Sequence, residues 1–349
     1  MSALLREMSA RALELSVPLS VQLDLTYRCN ERCVHCYLDH DDHGELGFDE
    51  VAGLLDQLAG AGTFFLVLSG GEIFLRRDLF AILERARRRR FSTTIKTNAV
   101  LIDEERARRL ARAGVASVHV SLYSHQAAVH DAITRLPGSF ERTMSGVRRL
   151  IDRGVKVAVS NVLMAQNARD YREVRELAEA AGAEYRVDPT ITPMMDGGRG
   201  PVALNMDAGD LRGILRDPAL TGNSSAACPP DPEAGVIGDA LDALPCSAGH
   251  TSCYVSPYGD VYPCVQFPMP SGNVRNAPFI DIWRRSPQLS EVRSIVISDV
   301  HVCSTCAVGS RCTRCPGLAY MEGDPRGPSR QDCEKSLAST GIVPLPLHR

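Results

Sequence analysis

The sequence predicts an α/β fold: a partial (β/α)6 TIM-like barrel followed by a small cysteine-rich C-terminal domain. Three observations predict it. Six short apolar runs alternate with segments of helical period between residues 20 and 190. Glycines stand where those helical segments should end. Of twelve cysteines in 349 residues, eight fall at or after residue 246, in closely spaced runs that leave little room for regular elements.

Taken in order, the strand candidates are "VQLDLTY" (21–27), "FFLVLS" (64–69), "STTIKT" (92–97), "ASVHVSLY" (116–123), "VKVAVSNVL" (155–163) and "AEYRVDPTI" (183–191). Between them lie "DEVAGLLDQLAGAG", "RDLFAILERARRRR", "DEERARRLARAG", "ERTMSGVRRLIDRG" and "ARDYREVRELAEAAG", each with apolar residues three and four apart. Asp49 and Asp103 are N-caps or first-turn carboxylates. Gly62, Gly114, Gly154 and Gly182 are left-handed C-caps. Strand and helix alternating at this spacing imply right-handed crossovers and a parallel sheet. A sixth helix, "MDAGDLRGILRD" (206–217), follows a Gly/Pro-rich loop. Six units are too few to close an eight-stranded barrel. Residues 1–19 form an N-terminal extension, 20–215 the barrel, 216–245 a linker without period, 246–335 the cysteine-rich domain and 336–349 a tail.

Composition narrows the function. A formal charge of −3 gives no basic field for nucleic acid. No apolar run approaches the ~18 residues of a membrane span, and the N-terminus lacks the basic start and apolar stretch of a signal peptide. The expected compartment is the cytoplasm, where clustered cysteines point to metal thiolates over disulfides. The run "RARRRR" (85–90) ends a helix, where cations suit the dipole.

Cys29, Cys33 and Cys36, in "CNERCVHC", directly follow the first strand. In parallel α/β proteins the loops at strand C-termini build the active site. Two readings of three thiolates stand open. One is structural zinc completed by His35 or His40; the other is an iron–sulfur cubane with one open iron. The second strand ends in "LSGGE". Gly70 and Gly71 allow close backbone approach to a ligand, and Glu72 offers an acceptor for an ammonium group. A lone Gly-Gly-Glu is usually a turn; its place beside the three-cysteine loop gives it weight.

"CNERCVHC" with "SGGE" on a six-unit βα array resembles the radical S-adenosylmethionine superfamily over roughly residues 20–215. The resemblance implies that S-adenosyl-L-methionine completes the cluster through its amine and carboxylate, and that reductive cleavage yields a 5′-deoxyadenosyl radical. It implies that Gly70, Gly71 and Glu72 bind the methionyl group. Asn98 after strand three, Ser121 with Tyr123 at strand four, and Ser160 and Asn161 on strand five would reach the ribose and carboxylate; ordinary loop capping is their bland reading. His35 occupies a position often aromatic in the signature, and Tyr37 beside it would border the adenine.

The C-terminal runs "CSAGHTSCYVSPYGDVYPC" and "CSTCAVGSRCTRCPG", with Cys333 beyond, resemble the SPASM domain, which implies two auxiliary 4Fe–4S clusters and three clusters in all. Carried over by position, Cys246, Cys253, Cys264 and Cys315 hold the first, and Cys303, Cys306, Cys312 and Cys333 the second. Only Thr313 and Arg314 separate Cys312 from Cys315, one residue fewer than usual, and a pair of zinc ribbons is the alternative. Cys228 is a spare thiol. This two-domain plan resembles enzymes that modify ribosomally synthesised peptides by crosslinking or Cα epimerisation. The segment "HDAITRLPGSF" (130–140) fits that branch, or is simply a loop and helix start capped by Ser139. Alternatives are porphyrin side-chain modification, sulfatase-type protein maturation and a non-catalytic electron carrier. Expected partners are a peptide substrate and an electron donor such as flavodoxin or ferredoxin. The first strand begins near residue 20, which leaves no room for an N-terminal leader-binding domain, so either a separate leader-binding protein or the barrel itself is expected to recognise the leader.

Overall fold

The computed structural model describes residues 3–221, 244–308, 312 and 314–347. The six apolar runs become parallel strands β1 (Ser20–Thr26), β2 (Phe65–Gly70), β3 (Ser92–Thr97), β4 (Ser117–Ser121), β5 (Val157–Val162) and β6 (Glu184–Asp188). Their register explains the alternation. Val21 and Leu23 lie level with Leu66 and Leu68, and Leu68 with Ile95. Ile95 lies level with Val118, and Val118 and Val120 with Val157 and Val159. Level neighbours point to one face, so these residues form a continuous apolar layer under the helices, all within one buried core. The helix Phe48–Gly60 seals it with Leu54, Leu55 and Leu58, each side chain worth roughly 1.5–3 kcal/mol when fully buried. The opposite face carries Lys96 level with His119, Ser121 with Ser160, and Ser160 with Arg186. That polar stripe lines the concave side.

Helix ends follow the expected chemistry. Gly62, Gly114, Gly154 and Gly182 all have positive φ. The Asp103 carboxylate accepts from Arg106 N, while Asp49 sits inside the first turn of a helix capped at Gly47. The sixth helix forms over Ala208–Leu215, with Asp207 accepting from Gly209 N and Asp210 N. Residues 222–243 of the expected linker, and Cys228 with them, lie outside the described residues.

The C-terminal part is more regular than its cysteine spacing suggests. Strand β7 (Ser252–Val255) joins the open side of β1 in parallel, and β8 (Asp260–Tyr262) and β9 (Gly272–Asn273) add antiparallel, giving one sheet in the order β6-β5-β4-β3-β2-β1-β7-β8-β9. The helix Arg330–Thr340 returns to the helix Ala208–Leu215. Strands of two to four residues carry too little periodicity to be seen in the sequence. The sheet stays open beyond β6. Among the described residues, no helix is long and apolar enough to cross a membrane.

Candidate active site at the strand C-termini

Cys29, Cys33 and Cys36 line one wall of a cavity of about 540 Å³ above the C-terminal ends of the strands. Their loop is tied down from a distant segment: Arg32 N donates to Thr134 O at 3.0 Å and Val34 N to Ile133 O at 2.9 Å. Both carbonyls belong to "HDAITRLPGSF". Ser139 does not cap the helix that follows. Its hydroxyl donates to Asp131 Oδ1, and the Asp131 carboxylate also accepts from Gly138 N and Phe140 N. A helix start and a clamp on the cysteine loop are thus one structure.

The "SGGE" turn lies against the same loop. Gly71 N donates to Thr26 O at 2.8 Å and Glu72 N to Arg28 O at 2.9 Å. A Cβ at Gly70, where φ is +133°, would fall 2.1 Å from Thr26 O, and one at Gly71 would fall 2.4 Å from Arg28 O. Both glycines border the cavity. Glu72 does not. Its carboxylate is fully buried and accepts from Phe74 N (3.0 Å), Asn98 N (2.9 Å) and the Thr97 hydroxyl (2.8 Å). The expected ammonium acceptor therefore acts as a joint between the ends of β2 and β3. Burial raises its pKa, opposed by these donors.

Asn98, Ser121, Ser160, His35 and Tyr37 all line the cavity. Asn98 Nδ2 donates to Asn30 Oδ1 at 2.9 Å, fixing the amide beside Cys29. The His35 ring meets Tyr123 edge-on at 4.9 Å, and Tyr123 stacks on His130. Asn161, expected at the ligand, does not line the cavity. Strand alternation turns it away from Ser160, and it donates to Leu122 O and accepts from Tyr185 Oη. It ties β4, β5 and β6 together. The sequence reading missed Glu31, Lys96, His119, Arg186, Thr192 and Gln266, which also line the cavity. His119 had a legible signal, as a polar residue between the apolar Val118 and Val120 of β4.

Burial, first of several causes, pushes the Cys29 thiol up to about 12 and raises Cys33 and Cys36 as well. Thiols so desolvated become thiolates only beside a strongly cationic partner, which an iron–sulfur core provides. Spacing bears on the choice of metal. Among the described residues, the only three potential ligand groups within 4.8 Å of one another are the exposed Asp39, Asp41 and His43. Tetrahedral zinc with bonds of ~2.3 Å would draw thiolates to about 3.8 Å apart. Among the described residues no three cysteine sulfurs lie within 4.8 Å of one another, a spacing compatible with the corners of a cubane.

Two further thiol groups lie in the C-terminal part. Cys303, Cys306, Cys312 and Cys333 surround a cavity of about 100 Å³ with Val308, Ile297 and Arg314. Cys246 is pushed up to about 11 by burial first, and then by the nearby Cys315 and Cys264. Cys253 does not join this second group. It stands level with Val21 on β7, is 4% exposed, and lies in the apolar core with Val255, Trp283 and Leu289. Its neighbour Tyr254 takes the opposite face, where its hydroxyl donates to Asp24 and its ring stacks on Tyr262.

A parallel barrel open on one side, with a three-thiol loop at its strand ends and two more thiol groups beside it, defines an iron–sulfur enzyme that binds a small molecule over its cluster. Comparison with known proteins gives the family. The Radical SAM superfamily model matches residues 23–181, and that of an iron–sulfur cluster-binding domain, SPASM, matches residues 246–316. The chain is a radical S-adenosylmethionine enzyme with a C-terminal SPASM domain. It is 28% identical to the AdoMet-dependent heme synthase of Nitratidesulfovibrio vulgaris, over 86% of this chain and 88% of that one. It is 29% identical to the mycofactocin maturase MftC of Mycobacterium tuberculosis, over 95% and 88%. Its fold is similar to that of Streptococcus suis SuiB bound to precursor peptide SuiA, with a TM-score of 0.74 at 18% identity over 94% of this chain and 79% of that one.

Proposed function

We propose that the protein modifies a ribosomally synthesised peptide, by crosslink formation or Cα epimerisation. The observation that carries this reading is the open side of the barrel. The cavity wall runs from β6 (Arg186, Val187, Asp188) through Thr190, Ile191 and Thr192 to Val265 and Gln266 of the second domain. An extended chain can enter along that unclosed edge, whereas a closed barrel would admit only compact ligands. The similarity to a peptide maturase over nearly the whole chain agrees with it.

Cys29, Cys33 and Cys36 hold the cluster to which S-adenosylmethionine binds, and the bound pair supplies a 5′-deoxyadenosyl radical on reduction. The remaining work belongs to the chain. Gly70 and Gly71 bring backbone close to the methionyl group, with Asn98, Ser121 and Ser160 as polar contacts. His35 and Tyr37 border the adenine. Leu38, Val162 and Ile191 give the cavity its apolar parts, which limit water near a radical. The thiol groups of the second domain hold auxiliary clusters, bringing the total to three. A flavodoxin or ferredoxin supplies electrons.

Lys96 and Arg186 give the wall two cations, flanking His119, whose pKa burial lowers to about 4. They suit a carboxylate, and this is the observation favouring the second reading, modification of a porphyrin's acidic side chains. Incubating the reduced, reconstituted protein with S-adenosylmethionine and either a precursor peptide from a neighbouring gene or a carboxylate-bearing porphyrin separates the two. A mass change in the peptide is expected; one confined to the porphyrin overturns the first reading.

A further inference from the structure

We propose that the first auxiliary cluster is held by only three protein thiolates, Cys246, Cys264 and Cys315, and that its fourth coordination position takes an anionic donor, thiolate or carboxylate, from the substrate in the cavity. This rests on the reading that these thiols hold an iron–sulfur cluster.

The fourth cysteine of the expected set is on the wrong face of the sheet. Cys253 and Val255 stand level with Val21 and Leu23, in the layer that the helices cover. Tyr254 faces the other way and stacks on Tyr262, two residues before Cys264. Reaching Cys264 from the Cys253 position would require β7 to slip by one residue, exposing Val255 and turning Tyr254 into the core. Asp332, the nearest carboxylate to Cys315, is also engaged. It accepts from Cys315 N at 2.8 Å through Oδ2 and pairs with Lys335 Nζ at 2.8 Å through Oδ1.

Two of the three remaining thiols neighbour residues of the cavity wall. Val265 and Gln266, which follow Cys264 directly, form part of that wall. Gln266 Oε1 lies 4.0 Å from Cys315 Sγ, and Gln266 Nε2 donates to Thr192 Oγ1 at 3.0 Å. Lys96 also lies on the cavity wall. A cluster held there would lie beside a cavity wall that carries Val265, Gln266 and Lys96. An anionic donor is the ligand that such a position favours.

The test uses the full chain, reconstituted anaerobically, with iron counting and Mössbauer and EPR spectra. Cys253→Val, a volume-conserving change in an apolar layer, should keep the parental iron content of about twelve per chain, and Cys253→Ala should do the same. Cys264→Ala should lose about four irons. In a chain with Cys29, Cys33 and Cys36 changed to Ala, added 2-mercaptoethanol should shift one of the two auxiliary EPR signals. Loss of a cluster in both folded Cys253 variants overturns the proposal. So does a spectrum indifferent to thiol, or one that becomes sensitive only when Cys228→Ala is added, which would make Cys228 the fourth ligand. Zinc in place of iron at these thiols would instead defeat the underlying reading, and metal analysis distinguishes that case.

Discussion

Replacing Glu72 with Gln separates two roles that the sequence could not. The carboxylate meets three donors, Phe74 N, Asn98 N and the Thr97 hydroxyl, at 2.8–3.0 Å, with no solvent exposure. Three donors on two oxygens mean that the ionised form is the one accommodated. Gln keeps one oxygen and sets an NH₂ group against a backbone N–H. Thr97 Oγ1 offers little relief, since it already accepts from Ala99 N. One buried N–H is then orphaned, at about 1–3 kcal/mol, and the surviving bonds lose their charge assistance. The neutral side chain recovers part of this by burying no charge, leaving a net loss of roughly 2 kcal/mol. Anaerobic thermal unfolding followed by circular dichroism should show a lower midpoint for Glu72→Gln, with and without S-adenosylmethionine. Calorimetric binding of S-adenosylmethionine should weaken only as far as the displaced Asn98 and Gly71 require. Ser121→Ala, a change in the cavity wall, should do the reverse and spare the midpoint. If Glu72→Gln unfolds at the parental temperature yet loses its affinity, the carboxylate reaches the ligand directly and the joint does not exist.

Two further outcomes follow from carboxylates that accept several hydrogen bonds or lie in the core. Burial raises Asp24 from its ordinary 3.8 to about 6, against hydrogen bonds from Gln22 and Tyr254. The folded chain therefore holds a proton that the unfolded chain releases. The associated stability is complete below about pH 4 and is lost as pH rises through about 6, roughly 3 kcal/mol in all. Asp24→Asn should flatten this dependence, so that from pH 5 to 8 the parent loses stability relative to the variant; parallel curves would refute the assignment. Asp131→Ala should remove the cap on the helix beginning at Ser139, at about 1 kcal/mol, and loosen the carbonyls that hold the cysteine loop. Faster iron loss to a chelator from the Cys29–Cys36 cluster is expected, with Asp131→Asn closer to the parent; equal release rates would show that the clamp is idle.

The barrel was legible because its strands obey a local rule. Val21, Leu23, Leu66, Leu68, Val118 and Val120 repeat every second residue, and glycines mark the helix ends, so a one-dimensional pattern encodes the parallel sheet. The cysteine loop was legible for a related reason: cluster ligands come at short, fixed spacing on one stretch of chain. What a side chain faces is decided between strands. The same pleat that sends Ser160 into the cavity turns Asn161 away, and only the register against β4 and β6 says which is which. Glu72 looks like a ligand-binding acid until Thr97 and Asn98, some 25 residues later, arrive to enclose it. Cys253 looks like a ligand until β7 pairs with β1, more than 200 residues earlier, and level contact with Val21 commits it to the core. Residue type and spacing fix which chemistry a chain can hold, whereas long-range pairing fixes the direction in which each donor points.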